Sequence, residues 1–201
     1  MNRMANEAYA SVDISDADVM EAMKAMQGYI DITPADFREV YQVAYGLARD
    51  RVMKGLKAGQ IMRTPVHVIE TGQGLVEAAA LLAREGISGA PVVDRDGRVV
   101  GVVSEKDFLR KMGAEPGGSF MQVIALCLQN KGCVAAPMLK RTAGEIMTSP
   151  AVTATVDISM ADISALLSEK GINRLPIVGG DGRPVGIVTR SDLIEAFCRI
   201  E

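Results

Sequence analysis

The chain has 201 residues with 22 Lys and Arg against 25 Asp and Glu, a formal charge of −3; 48% of residues are apolar, 4% aromatic, and none is Trp. This length can bury a real core in one domain or two small ones, while the slight acidity excludes the clustered basic footprint of a nucleic-acid binder and no apolar run approaches the roughly 18–20 residues of a membrane helix. A single histidine, His67, excludes a multi-histidine metal site within one chain, and three cysteines behind a start (MNRMANEAYASVD) without a secretory apolar core point to reduced thiols in a cytoplasm.

Residues 1–12 are polar and without period, which predicts a disordered N-terminus. Residues 13–57 predict a helical extension of two helices. Ser15 with Asp18, and Thr33-Pro34 with Asp36, are helix-start signals, the second with Pro at the first helical position. Phe37, Val40, Tyr41, Ala44, Leu47, Ala48 and Val52 then form one apolar face, expected to be buried on the rest of the chain or in a dimer interface.

Residues 58–111 align with 143–196 at a constant offset of 85 without a gap, and 19 of the 54 paired positions are identical. AGQIMRTP pairs with AGEIMTSP, EGISGAPVV with KGINRLPIV, and RDGRVVGVVSEKD with GDGRPVGIVTRSD. Such ordered blocks identify a duplication. Each copy predicts an extended piece (Val66–Val68; Ala151–Thr153), then an amphipathic helix. In the second copy Ser159 and Asp162 form a capping box before that helix. Gly86 and Gly171 stand where a left-handed helix C-cap would be. Two apolar strands follow (Ala90–Val93 and Val99–Ser104; Leu175–Val178 and Val185–Thr189), joined through the hairpin signals Asp96-Gly97 and Asp181-Gly182. A last helix starts near Asp107 or Ser191. The fold class is α+β: two β-α-β-β-α repeats, over 58–112 and 142–201, packed about a pseudo-twofold axis. Between them 113–141 is a helical excursion, opening with the loop GAEPGG and continuing as a helix with Phe120, Val123, Ile124, Cys127 and Leu128 on one side.

IM-x-x-P, G-I-x-x-x-P-V/I-V, D-G-R-x-V-G and a terminal G-h-h-S/T-x-x-D, in that order and twice, resemble the CBS domain, and the pair resembles a tandem-CBS (Bateman) module. The resemblance implies two clefts between the repeats that take an adenosine-containing regulatory ligand, an adenine nucleotide of the AMP or ATP type or an S-adenosyl compound, with no cofactor, no metal and no catalysis. Carried over onto this sequence, Asp107 and Asp192 are ribose ligands, and Ser104 and Thr189 contact sugar or phosphate. Met62, His67, Ile87 and Gly89 would border the adenine of the Asp192 cleft; Met147, Val152, Ile172 and Arg174 would border that of the Asp107 cleft. Arg174 and Arg190 are candidate phosphate ligands where the first repeat has Gly89 and Glu105-Lys106, which makes the Asp192 cleft the expected better site.

Other roles for these residues remain open at this level. Asp107 and Asp192 can each cap their own helix. His67, with no catalytic partner that sequence places beside it, suits packing or stacking. Cys127 and Cys133 have a spacing foreign to familiar metal and redox pairs, and Cys127 suits a helix core. The resemblance implies a homodimer that acts on an unidentified protein or on its own helical extension, and composition and charge point to a cytoplasmic setting without nucleic acid or membrane. The alternatives are a ligand-independent interaction scaffold and a thiol redox sensor using Cys127 and Cys133.

Overall fold

The computed structural model describes residues 15–25, 32–115, 119–129 and 134–198. The disorder expected for residues 1–12, and Cys133, lie outside the described residues. The chain divides into two units, one up to Met53 and one from Lys54 onward.

The first unit is built from α1 (Asp16–Ala25) and α2 (Pro34–Gly55), whose last two residues run into the second unit. Both helices start where the sequence signals lie. The Ser15 N–H and hydroxyl donate to Asp18 Oδ2 at 2.9 and 2.6 Å, and the Thr33 N–H and hydroxyl donate to Asp36 Oδ2 at 3.0 and 2.6 Å. These bonds, the side-chain one foremost, hold both carboxyls below the ordinary Asp range. Within the chain, the apolar face of α2 is not covered. Val19 is buried, but α2 buries no residue, and Val40 and Leu47 are 66% and 67% exposed. An amphipathic stripe reports where apolar side chains align, not that a partner surface within the same chain covers them.

In the second unit, the first repeat comprises α3 (Ala58–Ile61), β1 (Ile69–Glu70), α4 (Leu75–Glu85), β2 (Gly89–Val93), β3 (Val99–Ser104) and α5 (Glu105–Lys111). α6 (Phe120–Gln129) follows, and then the second repeat with α7 (Met160–Glu169), β4 (Arg174–Val178), β5 (Pro184–Thr189) and α8 (Arg190–Cys198). β1 runs parallel to β2, which pairs antiparallel with β3; β4 and β5 form the matching hairpin, and Ala154 bridges Ile177 in parallel where β1 has its counterpart. Glycine meets the need for positive φ at both hairpin turns, 78° at Gly97 and 80° at Gly182.

The extended pieces expected at Val66–Val68 and Ala151–Thr153 join their sheets only at Ile69 and Ala154. The delay has a structural cause: the chain pairs first with the opposite repeat. The Arg63 N–H donates to the Ile187 carbonyl at 2.9 Å and receives the return bond at 3.2 Å; Val102 and Thr148 exchange the equivalent bonds at 3.0 and 2.9 Å. Upstream, Ala58 and Gly59 donate to the Ile158 and Val156 carbonyls, and Ala143 and Gly144 donate to the Gln73 and Thr71 carbonyls. Each repeat therefore seats its opening segment on the other, and this reciprocity is the pseudo-twofold arrangement. Close packing reinforces it. Met62 lies against Gly186 and Met147 against Gly101, where a Cβ would stand 2.5 Å from the Met147 sulfur.

The cores follow the strand and helix periodicity. Ile69, Ala78, Leu82, Val92 and Val103 pack with Met138, from the segment between the repeats, and with Ile146, from the opening of the second repeat. Ile163, Leu167, Leu175, Ile177 and Val188 are likewise buried in the second. On α6 only Val123 of the expected apolar side is buried; Cys127 is half-buried, and Phe120 and Leu128 are 60% and 83% exposed.

Candidate ligand-binding clefts

Both strand-to-helix junctions use the same device. The helices start at Glu105 and Arg190, two residues and one residue before the expected Asp107 and Ser191, because the strand's last hydroxyl residue is already the cap. Asp107 Oδ2 accepts from the Ser104 N–H at 2.8 Å and hydroxyl at 2.7 Å; Asp192 Oδ2 accepts from the Thr189 N–H at 2.7 Å and hydroxyl at 2.5 Å. Both aspartates are buried, 3% and 4% exposed. Capping uses one carboxylate oxygen. The other, Oδ1, is directed elsewhere in each repeat, and there the two clefts part.

At Asp107, Oδ1 accepts from the Thr148 hydroxyl at 3.2 Å, with Arg110 Nη2 at 3.3 Å. It opens onto a cleft of about 330 Å³ between the repeats, within the size range of small-molecule sites. Val152 and Ile172 supply apolar wall. Four cations (Lys106, Arg110, Lys170 and Arg174) line it against the carboxylates Glu105 and Asp107. Arg174 leaves the start of β4 and crosses to the first repeat, where its Nη2 donates to Ser88 Oγ at 2.8 Å. Gly89 makes this crossing possible, since a Cβ there would overlap the guanidinium and the Val103 carbonyl. Burial lowers the Arg174 pKa, opposed by the charges of Glu105 and Asp107. An arginine starting from so high a value keeps its charge.

At Asp192, Oδ1 accepts instead from Nε of Arg63, whose Nη2 also stands 3.5 Å from Glu195. The bond to Asp192 and its charge raise the Arg63 pKa still further, with Glu195 adding to the effect. The surrounding hollow of about 530 Å³ is lined by Gln60, Ile61, Met62, Arg63, Asp192 and Glu195, among others, with carboxylates outnumbering the one cation.

The structure therefore divides the residues singled out from sequence. Ser104, Lys106, Asp107, Val152, Ile172 and Arg174 line one cleft, while Met147 packs on Gly101 instead. Of those assigned to the Asp192 side, Met62 lines the hollow and Thr189 holds the cap. His67 lies 3.5 Å from Glu85, an ion pair when the imidazole is protonated. Ile87 packs against the first repeat's core, and Gly89 lies beneath Arg174. Arg174 and Arg190, expected near one cleft or its neighbour, take different places. Arg174 serves the Asp107 cleft, and Arg190 Nη2 donates to the Leu167 carbonyl on α7 at 3.4 Å. Thr148, Arg110, Lys170 and Arg63 were not singled out from the sequence. The offset that defines the repeat pairs them with Arg63, Glu195, Glu85 and Thr148, so the charge differences between copies were the available signal. Among the described residues, no group of three or more His, Cys, Asp or Glu could hold a metal ion, and no helix is long and apolar enough to cross a membrane.

Comparison with known proteins agrees with this architecture. Residues 58–114 and 143–199 each match the CBS domain family. The CBS domain of a CBS-domain-containing membrane protein from Sphaerobacter thermophilus superposes with a TM-score of 0.61 at 32% identity, over 78% of this chain and 96% of that one. CBSX2 of Arabidopsis thaliana in complex with AMP gives 0.57 at 26% identity, over 72% and 98%. The CBS domain pair of protein MJ0100, in complex with 5′-methylthioadenosine and S-adenosyl-L-methionine, gives 0.53 at 25% identity, over 73% and 98%. In sequence, MJ1426 of Methanocaldococcus jannaschii is 33% identical over 149 residues, 68% of this chain and 88% of its own length; the chain spans 35% of the longer MJ1404 of the same organism, at 31% identity over 77% of this chain. With two matched segments, the reciprocal docking of two β-α-β-β-α repeats and these neighbours, the chain belongs to the CBS domain family and carries two CBS domains in tandem.

Proposed function

We propose that the Asp107 cleft binds an anionic adenine nucleotide and that the protein is a non-catalytic regulatory sensor. The observation that carries this reading is the combination, in one inter-repeat cleft, of a buried carboxylate with an uncapped oxygen, apolar walls and an excess of cations. Adenine would lie against Val152 and Ile172, the ribose hydroxyls would donate to Asp107 Oδ1, and phosphate would be held by Arg174 and Lys106. Guanidinium–phosphate bonds are strong and geometrically selective. The same four cations disfavour the sulfonium charge of S-adenosylmethionine, although MJ0100 takes that ligand. CBSX2 with AMP supports the class of ligand.

The cleft walls come from both repeats, so a bound nucleotide favours whichever inter-repeat arrangement it fits best. That differential affinity is what lets a ligand shift a conformational equilibrium. The output is a change presented to a regulated protein or to the helical extension, from a homodimer in the cytoplasm. A scaffold role is the second reading, favoured by the exposed apolar residues Val40 and Leu47 on α2 and Phe120 and Leu128 on α6.

Thermal unfolding with AMP, ADP, ATP, S-adenosylmethionine and NAD separates the two. Nucleotide binding raises the melting temperature by mass action, with the adenine nucleotides ahead of S-adenosylmethionine. No shift with any of them, and no nucleotide released on heating the purified protein, would leave the scaffold reading.

A further inference from the structure

The two clefts share a backbone but not a chemistry. Arg63 and Thr148 occupy related positions, each exchanging two backbone hydrogen bonds with the opposite repeat, with Ile187 and Val102 respectively. Each side chain then reaches Oδ1 of the buried aspartate, the oxygen that capping leaves available. Thr148 offers a neutral hydroxyl at 3.2 Å, which an incoming hydroxyl can replace on equal terms. Arg63 offers a guanidinium, held on its far side by Glu195 where the other repeat has Arg110. A ribose entering there would have to displace a charge-assisted bond, leaving Arg63 to re-solvate and Asp192 to exchange an ionic partner for a neutral one.

We infer that the Asp192 cleft is filled by the protein's own Arg63, so that the chain takes one nucleotide and not two. The inference rests on the reading that the Asp107 cleft takes a nucleotide. It also extends beyond the contact with Asp192. Glu195 stands beside Arg63 and Asp192 where the Asp107 side has the cation Arg110, so the hollow around Asp192, with two carboxylates against one cation, lacks both an uncommitted acceptor and the positive potential that an anionic ligand requires. Each of these differences removes one element of the cleft on the other side of the pseudo-twofold.

The test is the stoichiometry of AMP binding to the full chain, measured by isothermal titration and by equilibrium dialysis. The wild type is compared with Arg63→Thr/Glu195→Arg, which copies the Asp107 side onto the Asp192 side, and with Arg63→Gln/Glu195→Gln, which removes the charges with less change of shape. The wild type should bind one AMP per chain and the copied variant two. Adding Asp107→Asn should abolish binding in the wild type and leave one site in the copied variant. Two sites in the wild type overturn the inference and leave the functional reading standing. One site in both the wild type and the two double variants, each with an intact melting transition, also overturns it. No binding by the wild type removes the functional reading. In that event a site that appears only in the double variants preserves the inference about Arg63, and no site in any variant removes both.

Discussion

The two clefts are the same piece of backbone used twice, and they differ in what stands against one carboxylate oxygen. At Asp107 that oxygen meets the Thr148 hydroxyl at 3.2 Å and Arg110 at 3.3 Å; at Asp192 it is committed to Arg63. Capping by the other oxygen is alike in both, so the aspartate serves helix formation in each repeat, and on the proposed reading a ligand meets it in one. A motif residue can therefore serve one local structural purpose in both repeats while its second oxygen meets different partners. The lesson holds at Gly89 and Arg174 too. These are related positions, and the bare glycine on one side is what admits the long side chain from the other.

The largest expected effects fall on the Asp107 side. Asp107→Asn and Arg174→Ala each remove a charge-assisted bond, expected to weaken AMP binding about ten- to a hundredfold, as read by titration. Equal affinity in both variants would dissolve the contrast between the clefts. Gly89→Ala comes next. Its methyl group would overlap both the Arg174 guanidinium and the Val103 carbonyl, an overpacking cost of about 1–3 kcal/mol. The melting temperature should fall by about 2–4 °C for each kcal/mol, with loss of AMP affinity as Arg174 is displaced.

Arg63→Ala should cost about 1–2 kcal/mol of stability, because buried Asp192 loses its ionic partner while solvent reaching the 63%-exposed Arg63 already screens the pair. Thr148→Ala, at the related position, removes one neutral bond worth about 0.5–1 kcal/mol. Denaturant unfolding of the two variants should preserve that order, and a reversed order would mean that Arg63 is not the lock on its cleft. The smallest effect lies outside both clefts. Asp18 and Asp36 are fully exposed caps whose carboxyls sit below their ordinary value in the folded chain. Their contribution is complete above an unfolded pKa of about 3.9 and is lost as the pH falls through the lower folded values. Helicity followed by circular dichroism should show no contribution from these caps to any change between neutrality and pH of about 5; a loss there that Asp36→Asn removes would contradict it.

Much of the fold was legible because its determinants are local. Asp-Gly turns, the Gly86 and Gly171 positions and the Ser/Thr–Asp boxes each specify a conformation within a few residues, and all appear in the structure. What was not legible depends on which repeat a side chain faces. Arg174 was a visible phosphate-ligand candidate, but its cleft is set by the crossing over Gly89. Arg63 follows the same Ile-Met pair that precedes Thr148 in the second copy, and only the exchange of opening segments brings it onto Asp192. The stripe on α2 forms as the periodicity predicts and is left uncovered within this chain, since periodicity fixes alignment and not the covering partner.

The central claim is tested most directly by a crystal structure of the full chain grown with saturating AMP. The account expects one nucleotide, its ribose on Asp107 Oδ1 and its phosphate at Arg174, with Arg63 still paired to Asp192. A nucleotide on Asp192 with Arg63 swung away, or both clefts empty of nucleotide, would contradict it.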